Sequence, residues 1–84
     1  MPITKKWIKE NLAKGNFRIT VHAAERMEER GIFESDLRCC GRTSKKIDFQ
    51  DDKGTWKVVG KNLDSEKLTV ICSVRDRMLI VTTY

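Results

Sequence analysis

Three basic side chains recur at every fourth position in one segment of this sequence: His22, Arg26 and Arg30. At about 3.6 residues per helical turn, this spacing places them in one stripe along a helix. An imidazole can take up or deliver a proton, and a guanidinium binds phosphate through two hydrogen bonds of fixed geometry. The stripe therefore suits cleavage of a phosphodiester bond, with His22 transferring protons and the two arginines binding the phosphate.

The same spacing has a purely structural explanation. Arg26 and Arg30 can form ion pairs with neighbouring glutamates on a solvated helical face, with His22 merely at the helix start. Spacing alone favours this explanation, so a catalytic site needs further residues that face the stripe.

The other reactive residue types form no recognisable site. Cys39, Cys40 and Cys72 lack C-x-x-C spacing, and adjacent cysteines suit neither a tetrahedral metal site nor a disulfide, so we predict reduced thiols, no metal and no cofactor. No serine has the G-x-S-x-G context of a nucleophile, and there is no glycine-rich phosphate loop. Trp7 and Trp56 could stack on bases, but their positions favour partial burial in the core.

The charge balance indicates a polyanionic partner. The chain has 17 Lys and Arg against 12 Asp and Glu, a net charge of +5 over 84 residues. A second basic cluster follows the predicted third helix and is a candidate extension of a phosphate track: Arg38, Arg42, Lys45 and Lys46. Isolated lysines in the predicted β-strands, such as Lys61, are interpreted as ordinary surface residues.

Local signals predict helices in the N-terminal half. A first helix is expected over about 5–14, a second over 22–30 and a short third one over 34–40, with Thr4 and Thr20 as caps and glycines ending the first two. The β-type residues at 17–21 are too few to predict a strand, so we interpret them as an extended lead-in to the second helix.

The C-terminal half changes to a period of two. Four strands are predicted over 46–50, 55–61, 68–74 and 78–83, joined by short turns into an antiparallel meander with the last strand near the centre. The predicted fold is therefore a single α+β domain spanning 1–84, with two to three helices, within about 5–42, packed on one face of a four-stranded antiparallel sheet at about 46–84.

Hydropathy excludes a bilayer-spanning segment, because no run approaches the ~20 apolar residues required. The first residues also lack the apolar region of a signal peptide. We therefore expect a cytoplasmic protein without a membrane partner.

The run HAAERMEERGI at 22–32, followed by four strands ending in IVTTY, resembles a bacterial and phage domain family of unknown function with the pattern H-A-x-x-R-M-x-x-R-x-I. That family looks like an offshoot of the barnase, EndoU, colicin and RelE-like nuclease fold, and the resemblance covers about 17–84. It implies a metal-independent ribonuclease or toxin-type domain in which His22, Arg26 and Arg30 face Thr82 and Tyr84 on the last strand. RNA is the expected partner, with an antitoxin or another protein as a further one. The alternative is a non-catalytic module of the same fold that binds RNA, DNA or a protein.

Overall fold

The computed structural model describes residues 3–84 of the chain. This part contains three helices and five strands. None of these helices is long and apolar enough to cross a membrane. The elements in chain order are α1 (Lys5–Lys14), β1 (Phe17–Ile19), α2 (Val21–Arg30), α3 (Glu34–Arg42), β2 (Lys46–Gln50), β3 (Thr55–Lys61), β4 (Lys67–Val74) and β5 (Met78–Thr83).

The helix boundaries follow from their caps. Thr4 and Thr20 each accept a hydrogen bond from the main-chain N–H three residues later, at 3.0 Å and 3.2 Å. Gly15 and Gly31 end α1 and α2 in the left-handed conformation, with φ of 77° and 66°. The predicted first and second helices are thus confirmed. The third runs two residues further than predicted, to Arg42.

The sheet has five strands and is mixed, so the prediction of four antiparallel strands was wrong in one respect. The strand order is β1-β5-β4-β3-β2, and β1 pairs parallel with β5. The segment at 17–21 that we interpreted as a lead-in contains this strand. Its three residues carry a weak local signal, because the strand is defined by its distant partner, with Phe17 opposite Met78 and Ile19 opposite Ile80.

All three helices pack on one face of the sheet. They contribute fully buried side chains to a common core with β3, β4 and β5: Ile8, Leu12, Ala23, Leu37, Cys40, Val58, Val70, Cys72, Met78 and Ile80. No described helix covers the opposite face, which we call the open face. Strand pairing places Lys57, Ile71 and Thr82 side by side on it.

A β-bulge in β5 determines which of its last residues reach the open face. Cys72 pairs with Ile80 but Ile71 pairs with Thr82, so Val81 is an extra residue. The alternation of side chains between the two faces of the sheet therefore shifts by one residue after Val81. Thr83 faces the core, where it is 1% exposed. Its neighbours Thr82 and Tyr84 face outwards instead.

The three cysteines should differ sharply in reactivity. Burial raises the pKa of both Cys40 and Cys72 to about 12. An alkylating reagent near neutral pH should therefore modify at most Cys39 in the folded protein and all three thiols in denaturant. Mass mapping of the modified peptides measures this, and modification of native Cys72 would contradict the packing described here.

Candidate functional site

Helix α2 lies along an edge of β5 that has no strand partner. β1 pairs only with Met78–Ile80, and α2 follows it immediately in the chain. Thr20 fixes the junction, because its N–H and its hydroxyl both donate to the carbonyl of Ile80, at 3.1 Å and 2.8 Å. Ala23 and Met27 then anchor α2 in the core. The stripe next to this apolar pair is left to meet the last residues of β5.

Both arginines of the predicted stripe meet the end of β5. A cavity of about 230 Å³ is lined by Arg26, Arg30, Thr82, Thr83 and Tyr84. Four of the five predicted catalytic residues thus share one cavity, and Thr83 is an addition.

The polar groups of this cavity have few partners of their own. Arg30 forms no ion pair within residues 3–84, and the hydroxyls of Thr82 and Tyr84 form no hydrogen bonds with that part of the chain. The hydroxyl of Thr83, by contrast, donates to the carbonyl of Thr69 at 3.0 Å. A guanidinium and two hydroxyls are therefore free to bind a ligand.

Arg26 has one neighbour of opposite charge. Its Nη1 lies 3.5 Å from Oε2 of Glu29, and the two side chains are 46% and 64% exposed. An ion pair this exposed contributes only about 0–1 kcal/mol to stability. Arg26 thus forms the kind of ion pair with a glutamate that would explain the stripe structurally. The pair is weak enough for a phosphate to displace the carboxylate of Glu29.

His22 lies on the same helical face but does not line the cavity. It is exposed and stands four residues before Arg26, which corresponds to about 6 Å along the helix axis. A lone phosphate in the cavity would lie beside the arginines, whereas a nucleotide chain is long enough to reach His22 as well.

The four residues of the second predicted basic cluster lie in different surroundings. Arg38 is half-buried and packs against Gly15 at the end of α1, whereas Arg42 is exposed at the end of α3. Lys46 lies on the open face, with its Nζ 3.8 Å from Oδ2 of Asp48. Lys45 lines a separate cavity.

That separate cavity contains two cations missing from the predicted site. It measures about 240 Å³ and is lined by Thr43, Lys45, Val59, Gly60, Lys61 and Lys67. Lys61 and Lys67 stand directly opposite each other on β3 and β4. The turn-rich segment 62–66 between them is the signal that could have predicted this pairing, because a short hairpin loop brings its flanking residues together.

Within residues 3–84, no three His, Cys, Asp or Glu side chains form a group that could hold a metal ion. Trp7 and Trp56 are half-buried and pack against the core. The ring centroids of Phe49 and Trp56 are 5.1 Å apart, an ordinary packing contact.

The chain belongs to a protein family described as a domain of unknown function, DUF4258, whose family model matches residues 19–84. The match includes α2, α3 and β2 to β5 and therefore both cavities. Comparisons with curated proteins and with solved structures found no significant match.

Proposed function

We propose that this protein is a metal-independent endoribonuclease of the toxin type, with its active site at the cavity between α2 and the end of β5. The observation that carries the proposal is the meeting of Arg26 and Arg30 with Thr82 and Tyr84 around one cavity. The resemblance of the helix motif at 22–32 to an offshoot of a nuclease fold supports the same reaction.

The arginines would hold the scissile phosphate. Guanidinium groups donate paired hydrogen bonds to phosphate oxygens and remain charged at every physiological pH. As the substrate's 2′-oxygen attacks phosphorus, negative charge accumulates on the non-bridging oxygens. Fixed cations at Arg26 and Arg30 stabilise that charge more than the charge of the ground state, which is the requirement for catalysis.

Two further groups would move the protons. His22 takes the proton from the attacking 2′-hydroxyl, and the phenol of Tyr84 donates its proton to the departing 5′-oxygen. The new bond joins the 2′-oxygen to phosphorus, and the bond from phosphorus to the 5′-oxygen breaks. The products are a 2′,3′-cyclic phosphate and a 5′-hydroxyl end, and water returns the proton from His22 to Tyr84. Thr82 would position the phosphate by a hydrogen bond.

Incubation with end-labelled RNA in the presence of a chelator tests the reaction. We expect cleavage without added divalent metal, products ending in 2′,3′-cyclic phosphate, and resistance of DNA of the same sequence, since DNA lacks the nucleophile. Cleavage that requires magnesium, or that acts equally on DNA, would exclude this mechanism.

The phosphate contact is tested by Arg30→Ala. Because a protein–phosphate contact releases counterions, we expect the slope of log affinity against log salt to fall by about 0.7 for single-stranded RNA. Arg75→Ala is the matched control, since Arg75 precedes β5, at the end of this strand opposite Tyr84, and its loss removes the same charge. An equal effect of both variants would show that Arg30 contributes only to bulk charge.

A second candidate is a non-catalytic RNA-binding module of the same fold. Two observations favour it: His22 lies outside the cavity, and Arg26 already has Glu29 as a partner. Binding that depends on Arg30 without any RNA cleavage would select this second function.

A further inference from the structure

The lysines at the mouth of the second cavity are placed against the rules of stable strand pairing. Lys61 and Lys67 are direct cross-strand partners, and like charges in that position repel. Lys45 adds a third cation to the same cavity. None of the three forms an ion pair within residues 3–84. If stability alone determined these residues, we would expect an acidic side chain at one of the three positions, because it would pair with the lysines.

The acids in the neighbourhood do not neutralise this cluster. Among the described strand residues, the open face carries one acid, Asp48, and its carboxylate is engaged by Lys46 at 3.8 Å. Asp64 and Glu66 lie in the β3–β4 loop, where they are exposed and form no ion pair. The cavity therefore retains its positive charge. The hydroxyl of Thr43 at its edge is already engaged, because it donates to the carbonyl of Cys39 at 2.8 Å and accepts from the N–H of Lys61 at 2.9 Å.

Strand pairing relates one lining residue of this cavity to one of the first cavity. Tyr84 exchanges two main-chain hydrogen bonds with Thr69, of 2.7 Å and 2.9 Å, and Lys67 is two residues from Thr69 on the same strand. Lys67 and Tyr84 are thus diagonal neighbours, at about 7–8 Å. Side chains this close can contact the backbone of one strand within a few nucleotides of each other.

Tyr84 lines the first cavity, is the diagonal neighbour of Lys67 in the second, and is 50% exposed. A base of an unpaired strand can stack on an exposed aromatic ring, whereas a base inside a duplex cannot. Two cationic cavities next to an exposed aromatic residue match the alternation of phosphates and bases along a single strand.

We propose that Lys45, Lys61 and Lys67 form a second phosphate-binding site, which binds the backbone of the same single-stranded RNA within a few nucleotides of the phosphate held by Arg26 and Arg30. The proposal rests on the proposed function for the identity of the ligand. It concerns binding, however, and can be measured without cleavage. It also changes the interpretation of Lys61, which the sequence alone presents as an ordinary surface residue.

The test is a double variant, Lys61→Gln with Lys67→Gln, measured by fluorescence anisotropy with a labelled 2′-O-methyl RNA oligonucleotide that cannot be cleaved. Loss of one phosphate contact should lower the log-log salt slope by about 0.7, which corresponds to roughly fivefold weaker binding at 0.1 M salt. The melting temperature should stay the same or rise, because the variant removes a repulsion between like charges. A fall in melting temperature with unchanged affinity would identify the lysines as structural and overturn the proposal.

The matched control is Lys5→Gln with Lys9→Gln, which removes two exposed lysines from α1 and hence the same net charge. We expect it to change the slope far less. Equal losses in both double variants, or no binding of the oligonucleotide by the wild-type protein, would overturn the second site. Binding that depends on Lys61 and Lys67, without any RNA cleavage, would reject the ribonuclease activity and support the second phosphate site. RNA cleavage together with binding that does not depend on these lysines would support the ribonuclease activity and reject the second site.

Discussion

Replacing His22 by alanine is expected to lower the rate of RNA cleavage by about 10²–10⁴-fold, the usual contribution of a general base. Folding and RNA affinity should change little, since His22 is exposed and its side chain forms no hydrogen bond within residues 3–84. Single-turnover cleavage, circular dichroism and anisotropy with the uncleavable oligonucleotide measure the three properties separately.

The control for this variant is Glu28→Ala, which alters an exposed residue of α2 outside the stripe of His22, Arg26 and Arg30. It should leave the cleavage rate within about twofold, because a solvated side chain away from the phosphate contributes little to the transition state. Undiminished cleavage by the His22 variant would remove this residue from the mechanism. Tyr84 and a water molecule would then be the remaining proton carriers.

Replacing Gly60 by alanine should lower the free energy of unfolding by about 3 kcal/mol or more, the upper range for overpacking a core. The added Cβ would lie inside van der Waals contact with the carbonyl oxygen of Cys40 and 3.1 Å from its carbonyl carbon. That obstacle is the backbone of α3, which cannot rotate away as a side chain can. Urea denaturation measures the change in stability.

Gly54→Asn is the comparison for this second variant. Gly54 has a φ of 65° in the β2–β3 turn, and a Cβ there would have no heavy atom within 4 Å. Asparagine tolerates the left-handed conformation, so stability should fall far less than in the Gly60 variant. Equal losses would indicate that the close approach of β3 to α3 is relieved by a small shift of the helix.

Most elements of this fold could be predicted from sequence because their signals are local. Thr4 and Thr20 cap α1 and α2 by hydrogen bonds to residues three positions away, and Gly31 ends α2 by its own conformation. The four strands of the C-terminal half begin and end within one residue of their predicted bounds. Strand β1 differs, since only its pairing with β5, about 60 residues later, distinguishes it from a loop.

The candidate site was predictable only in part. The spacing of Arg26 and Arg30 places them on one face of a helix, which could be predicted without coordinates. Which face of β5 carries Thr82 and Tyr84 depends on the bulge at Val81, and no local signal predicts an irregularity of one residue. The pairing of Lys61 with Lys67 follows from the turn-rich segment 62–66, because a short hairpin loop brings its two flanking residues together.

The bulge at Val81 also determines which kinds of mutation this protein can tolerate over evolution. If β5 kept all its residues but lost the bulge, Val81 would pair with Ile71, and strand alternation would turn Thr82 towards the hydrophobic core and Thr83 towards solvent. Deleting Val81, by contrast, would remove only the extra residue and leave Thr82 opposite Ile71. Among relatives that share the site, we therefore expect either the bulge or a strand that is one residue shorter, whereas a strand of this length without the bulge should be absent.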